Sequence, residues 1–118
     1  MVITPVSDVL APAGLGTPTL AALVPNEANY RVLLMQPHGD IEGGAAGVWN
    51  RDRALAGRQF GRFLGDARET QADLVVTPEY SMPWLVLADA IKGGIVPAQG
   101  KIWVLGCESI TYSELESL

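Results

Sequence analysis

One carboxylate in this chain stands where a reactive group is most useful. Glu79 follows Leu74-Val75-Val76-Thr77-Pro78, a short apolar run rich in β-branched residues that reads as a strand covered on both faces. Pro78 has no N–H to give a sheet, so the strand stops there and Glu79 sits just beyond its C-terminal end. In open α/β sheets that end is where ligands bind. The bland alternative is an acidic residue that only caps the next helix. Other groups of the same rim come from two similar runs. Gln36 and His38 come after Val32-Leu33-Leu34-Met35, and Cys107 and Glu108 come after Ile102-Trp103-Val104-Leu105. A thiol, an imidazole and two carboxylates are the ingredients of nucleophilic catalysis. Cys107 has no Lys, Arg or His beside it in sequence to lower its thiol pKa, and it reads as a small buried hydrophobe. His38 has no ligand-spaced partner and reads as a loop histidine. Lys101 begins its strand at the end opposite the rim, away from Glu79.

The elements that position these groups alternate. Tyr30–Gln36 is the first strand, with both faces expected to be covered, and Pro37 ends it. His38–Gly47 reads as a glycine-rich loop whose spacing fits neither GxGxxG nor GxxxxGK[ST], and whose Asp40 and Glu42 would repel a phosphate. Asn50 is placed to cap a helix running to about Thr70. Trp49, Ala56, Phe60, Phe63 and Ala67 step by 7, 4, 3 and 4, one helical stripe, while Arg51, Arg53, Arg58, Arg62 and Arg68 mostly fall off it on a solvated face. Gly57, Gly61 and Gly65 recur every fourth residue, which predicts close packing of that face, since each glycine costs up to about 1 kcal/mol of helix propensity. After Glu79, Ser81 and Pro83 open a helix carrying Trp84, Leu87, Ala88 and Ile91 on one face, stopped by Gly93-Gly94. Pro97–Gly100 is a turn into the third strand. Strands separated by helices of this length imply parallel βαβ units.

The ends of the chain read differently. Residues 1–29 form an N-terminal arm: Met1–Gly16 is proline- and glycine-broken and reads as extended, and Thr17-Pro18 looks like the cap of a short helix over Thr19–Val24, stopped by Pro25. Ser113-x-x-Glu116 is a capping-box signature for a helix start at the other end. A helix that begins so late leads to the expectation that these residues are a piece of a longer protein.

Composition narrows the class. With 118 residues and 48% hydrophobic residues the chain suits one modest globular core. A net charge of −5 with 8 Lys+Arg argues against nucleic acid or an anionic membrane as partner. No apolar run approaches the roughly 20 residues that cross a bilayer, and the first residues lack a signal peptide's basic region. A single cysteine rules out an internal disulfide and fits a reducing cytoplasm.

Arg31-Val-Leu-Leu-Met-Gln36, Asn50 with its Ala-containing helix, Ala72-Asp-Leu-Val-Val-Thr-Pro-Glu79-Tyr80, and Lys101-Ile-Trp-Val-Leu-Gly106, in that order, resemble the opening of the nitrilase, or carbon–nitrogen hydrolase, superfamily. The resemblance covers Tyr30 to about Ser113. It implies an α/β fold, an incomplete nitrilase-like α-β-β-α sandwich with parallel βαβ units, in which residues 30–118 are the N-terminal part of the domain. It implies that Glu79 is the general base of a Glu-Lys-Cys triad acting on a non-peptide C–N bond in an amide, nitrile or carbamoyl compound, with no metal or cofactor required. The triad's lysine and cysteine come later in the family than any residue here. Cys107 and Lys101 match neither, so this piece alone is expected to be inactive. The resemblance also implies a homo-oligomer, or association with the rest of the domain. Two alternatives remain: a catalytically inactive nitrilase-like binding or regulatory module, and an unrelated α/β domain in which Glu79 meets a polar ligand.

Overall fold

The computed structural model describes residues 4–17, 20–24 and 29–118. At its centre is a parallel three-stranded sheet in the order β1 (Val32–Leu34), β4 (Leu74–Val76), β5 (Ile102–Val104), with the strand that precedes Glu79 in the middle. The register sets Val32, Leu74 and Ile102 side by side, then Leu33, Val75 and Trp103, then Leu34, Val76 and Val104. Because side chains alternate across a strand, the middle row points to one face and the two outer rows to the other. The parallel arrangement expected from the alternating pattern is therefore present, in a mixed α/β architecture.

Two helices cover the middle row. Helix α2 (Arg53–Thr70) buries Ala56, Phe60, Phe63, Leu64 and Ala67. These pack with Val75, Met82 and Ala90, the last from α3 (Trp84–Lys92), and with Leu33 and Trp103. Burial of these apolar groups, at roughly 25 cal/mol per Å² removed from water, is the main stabilising term. Among the described residues the opposite face is largely open. Val32 is 47% exposed, Leu34 68% and Val104 52%. The expectation that β1 is covered on both faces is thus corrected, since Val32 and Leu34 stand exposed, while in β4 Leu74 and Val76 are half-buried.

The N-terminal end of the sheet is tied together by Asp73. Its Oδ2 accepts from the Arg31 backbone N–H at 2.8 Å and its Oδ1 from the Lys101 ammonium, while its own backbone bonds to Arg31 and Ile102. One side chain therefore contacts the start of all three strands. Lys101 lies at this end, opposite the rim that carries Glu79, as its place in the sequence indicated.

Several local expectations are corrected. His38–Gly47 is not simply a loop: it contributes to an antiparallel hairpin, β2 (Ile41–Gly44) and β3 (Gly47–Asn50), turning at Ala45-Ala46. Asp40 and Glu42 both pair with Arg51, at 3.3 and 2.7 Å, so their charge is answered locally. Asn50 ends β3 and does not cap α2; the cap is Asp52, whose side chain accepts from the Leu55 N–H at 2.8 Å. Trp49 therefore belongs to the hairpin and not to the helical stripe. The N-terminal arm is not wholly extended, since α1 (Val6–Leu10) and a 3-10 turn at Ala11–Ala13 lie within it, closed by Gly14 at φ +68°. The short helix expected after Thr17-Pro18 begins partly outside the described residues, and its described part is a 3-10 turn, Ala21–Leu23. The last helix, α4 (Tyr112–Leu115), is capped two residues earlier than expected: Thr111 and Glu114 form the capping box in place of Ser113 and Glu116.

The glycines of α2 also fall short of the expectation. A Cβ at Gly57 would meet the Val86 side chain at an ordinary 3.9 Å, and at Gly61 and Gly65 it would meet nothing within 4 Å. Their cost to the helix is thus not offset by close packing. Gly61→Ala and Gly65→Ala should each raise stability by up to about 1 kcal/mol, seen as a higher Tm; a lower Tm would mean an unseen neighbour approaches that face.

Asp73 supplies a pH dependence. The Lys101 ammonium, and after it the Arg31 N–H, holds its carboxyl below the ordinary value of 3.8. A depressed folded-state pKa gives stability that is present above about pH 4 and is lost as pH falls through the folded value. Thermal melts across pH 2–6 should show Asp73→Asn less stable than the parent at pH 6, with the gap closing in acid. A gap that stays constant would remove Asp73 from the acid response.

Candidate functional site

The rim at the C-terminal end of the strands is built by interlocked backbone. Past β4, the Thr77 N–H donates to Val104 O at 3.0 Å, and Thr77 Oγ1 accepts from the Gly106 N–H at 2.8 Å. The chain then turns: Ser81 Oγ donates to Pro78 O at 2.6 Å, and the N–H groups of Ser81 and Met82 both donate to Gly106 O, at 3.1 and 2.9 Å. Tyr80 holds φ at +55°, an uncommon left-handed conformation for a residue with a side chain. Met82 and Cys107 then form a parallel bridge, which continues the β4–β5 pairing beyond Pro78. Glu79 is exposed at the apex of this held turn.

Gly106 makes the arrangement possible. A Cβ there would lie 2.2 Å from Pro78 O and 2.7 Å from Glu79 Cα, both backbone atoms that cannot swing away. The turn bearing Glu79 sits where a side chain at 106 would otherwise be.

The other rim residues separate into groups. Glu108 is 7% exposed and lies within a polar cluster. Its Oε1 accepts from both the backbone N–H and the side-chain amide of Asn50, at 2.6 and 2.7 Å, and its backbone O accepts from Trp84 Nε1–H at 2.6 Å. The Asn50 amide also donates to Ser81 O at 2.6 Å, which ties this cluster to the turn that carries Glu79. The hairpin docks on the same segment: Val48 N–H donates to Ser109 Oγ and Ser109 N–H to Val48 O, both at 2.9 Å. Gly47, at φ +137°, leaves room for the Ser109 side chain, which a Cβ would strike at 2.3 Å. Sequence reasoning placed Glu108 on the rim but missed Asn50 as its partner.

Cys107 is half-buried, and burial, with the charge of Glu108 second, pushes its thiol pKa up. A thiol so disfavoured as thiolate is not an activated nucleophile. His38 is held by its backbone, which exchanges hydrogen bonds with the Gln59 side chain at 2.8 and 2.7 Å, while Gln36 is exposed. Among the described residues no group of three or more His, Cys, Asp or Glu side chains is placed to hold a metal ion, and no helix is long and apolar enough to cross a membrane.

A cavity of about 510 Å³ opens beside the rim, between the first turns of α2 and α3 and the segment after β5. Arg53, Trp84, Glu108, Ile110 and Glu114 are among its walls. A smaller, apolar hollow of about 270 Å³ lies along α3 against Leu87 and Ile91. Glu79 lines neither. The structure thus mounts Glu79 at the rim and gathers Glu108, Asn50, Ser81 and Trp84, and no hydrogen bond joins Glu79, His38 and Cys107 to one another among the described residues.

No protein-family model, curated protein or solved structure matches this chain.

Gly106→Ala tests the coupling of the rim. Forcing two backbones apart costs at least about 1–3 kcal/mol by overpacking, so this substitution should lower Tm markedly and increase protease cutting near Tyr80. An unchanged Tm would show that the turn is free to move.

Proposed function

We propose that this chain is the N-terminal part of a nitrilase-like carbon–nitrogen hydrolase and that Glu79 is its general base. The observation that carries this reading is the mounting of Glu79: an exposed carboxylate directly beyond the central parallel strand, in a turn fixed by Gly106. A base must be held in place to accept a proton repeatedly, and it must be reachable by groups the 118 residues do not contain. The bare face of the sheet supports the same reading. Val32, Leu34 and Val104 form an apolar surface that water disfavours, and a sandwich-type domain lays a second sheet on such a surface. Dimerisation of the complete domain and a cytoplasmic setting belong to this proposal.

The chemistry then runs as acyl transfer. A cysteine from the remainder of the domain attacks the carbon of an amide while Glu79 takes the thiol proton. A lysine stabilises the negative charge that develops on the substrate oxygen. The C–N bond breaks, the nitrogen leaves as ammonia or amine with the proton returned by Glu79, and a thioester remains. Glu79 next removes a proton from water, whose oxygen attacks the thioester and releases the acid and the cysteine.

A second reading is favoured by one observation. Glu79 lines neither of the two cavities described above, whereas the buried Glu108 lines the larger of them. This is the arrangement expected if the domain is a nitrilase-like binding or regulatory module without catalysis. Activity of a polypeptide carrying these residues together with the rest of the domain separates the two. The hydrolase reading expects turnover of small amides or nitriles that falls by about 10² or more in Glu79→Gln, the usual worth of a general base. It also expects no turnover from the 118-residue chain alone. Equal activity of parent and Glu79→Gln would exclude the assigned role, as would amide hydrolysis by the short chain that Cys107→Ala abolishes.

A further inference from the structure

The cavity beside Glu108 has a use that does not depend on the hydrolase reading. At about 510 Å³ it falls in the size range of small-molecule sites. Pro83, Trp84, Leu85 and Ile110 give it apolar walls able to hold a flat or aliphatic body. At its base is a carboxylate that is only 7% exposed and engaged on one side only. Asn50 occupies Oε1 twice, and no donor among the described residues reaches Oε2. No fully buried side-chain oxygen among those residues is left without a partner, so Oε2 keeps some exposure, and Glu108 is one of the residues that line the cavity. The charged side chains of the walls are Glu108, Glu114 and Arg53, an excess of one carboxylate. Glu114 accepts from Thr111 through its Oε2 and has the Arg53 charge near it, whereas no cation pairs with Glu108 among the described residues.

We propose that this cavity binds a small organic cation, an ammonium or amidinium compound, with its N–H groups on Glu108 Oε2 and its apolar body against Trp84. The partners already in place suit the task. Asn50 fixes the carboxylate by two bonds, and the indole N–H bond to Glu108 O holds Trp84 to the same residue. The recognition group and the apolar wall are thus positioned before a ligand arrives, which limits the ordering cost of binding. A carboxylate with one free oxygen in a partly water-excluded site favours a charged donor over a neutral one of the same shape.

Benzamidine, benzamide and benzoate share one body and differ in the charge of the head, so they serve as probes of the 118-residue chain by titration NMR. Expected are saturable benzamidine shifts at the Trp84 indole N–H and the Glu108 amide, with benzamide and benzoate at least about tenfold weaker, a difference of roughly 1.4 kcal/mol. Glu108→Gln keeps an oxygen for Asn50 and removes the charge, and it should weaken benzamidine by a similar factor. Gly57→Leu, which adds a side chain to the cavity wall without a helix penalty, should block benzamidine whatever Glu108→Gln does to folding. Benzoate binding as tightly as benzamidine would overturn the proposal. So would benzamidine shifts absent from Trp84 and Glu108, or a folded Glu108→Gln chain that binds benzamidine unchanged.

Discussion

Position 106 has no side chain, and the rim of this molecule is built into that gap. The Pro78-Glu79 backbone passes so close to Gly106 that a single methyl would overlap a carbonyl oxygen. Gly106 O accepts from the Ser81 and Met82 N–H groups, its N–H donates to the Thr77 hydroxyl, and Thr77 N–H donates to Val104 O, which locks the two segments together. Everything at the rim is referred to this contact. It orients Glu79 outward, brings Ser81 O within reach of Asn50, and through Met82 aligns Cys107 and Glu108 with the start of α3. An exposed acidic side chain on an ordinary loop would sample many positions. Here the loop is a continuation of the sheet's hydrogen bonding.

The central strand is therefore fixed at both ends by different physics. At its start a buried carboxylate collects an ammonium and a backbone N–H from the two neighbouring strands. At its finish the tie is made mostly by backbone groups, with glycine allowing the approach. The first is sensitive to acid and the second is not. Between them β4 contributes only a short apolar run, and one of its faces is covered. The sheet owes its alignment to these two ends as much as to the strand itself.

How much the sequence disclosed depends on the range of the forces involved. Leu74–Val76, the stop at Pro78 and the place of Glu79 were legible because β-branched runs and proline act locally. The α2 stripe of Ala56, Phe60, Phe63 and Ala67 was legible for the same reason, as was the end of α3 at Gly93. Asn50 is ambiguous in sequence because Asn50 and Asp52 are both good cap residues within one turn, and only the backbone decides between them. Its actual partner is Glu108, 58 positions away, and no local rule reaches so far. The hairpin was hidden by its glycines, which look like a loop; the signal that could have revealed it is Ile41 and Val48-Trp49 flanking Gly44-Ala45-Ala46-Gly47. Thr111 and Ser113 each fit the capping-box pattern, and the extended backbone at Thr111, φ −79° and ψ 159°, selects the first.

Two carboxylates on one rim end with opposite fates, and the difference lies in the path the backbone takes beyond each strand. After β4 the chain reverses within a few residues, so Glu79 is carried to the outside of a tight turn. After β5 it continues extended past Cys107, so Glu108 is drawn under the hairpin, where Asn50 and the bridge to Trp84 close over it. Glu79 is left in water, open to any partner that reaches the rim. Glu108 has given up most of its water for fixed donors on one oxygen, and its other oxygen keeps an opening to the solvent. The rim thus holds two carboxylates in opposite settings, one exposed on a held turn and one fixed and buried, on residues 29 positions apart that share Ser81 and Met82 as their common support.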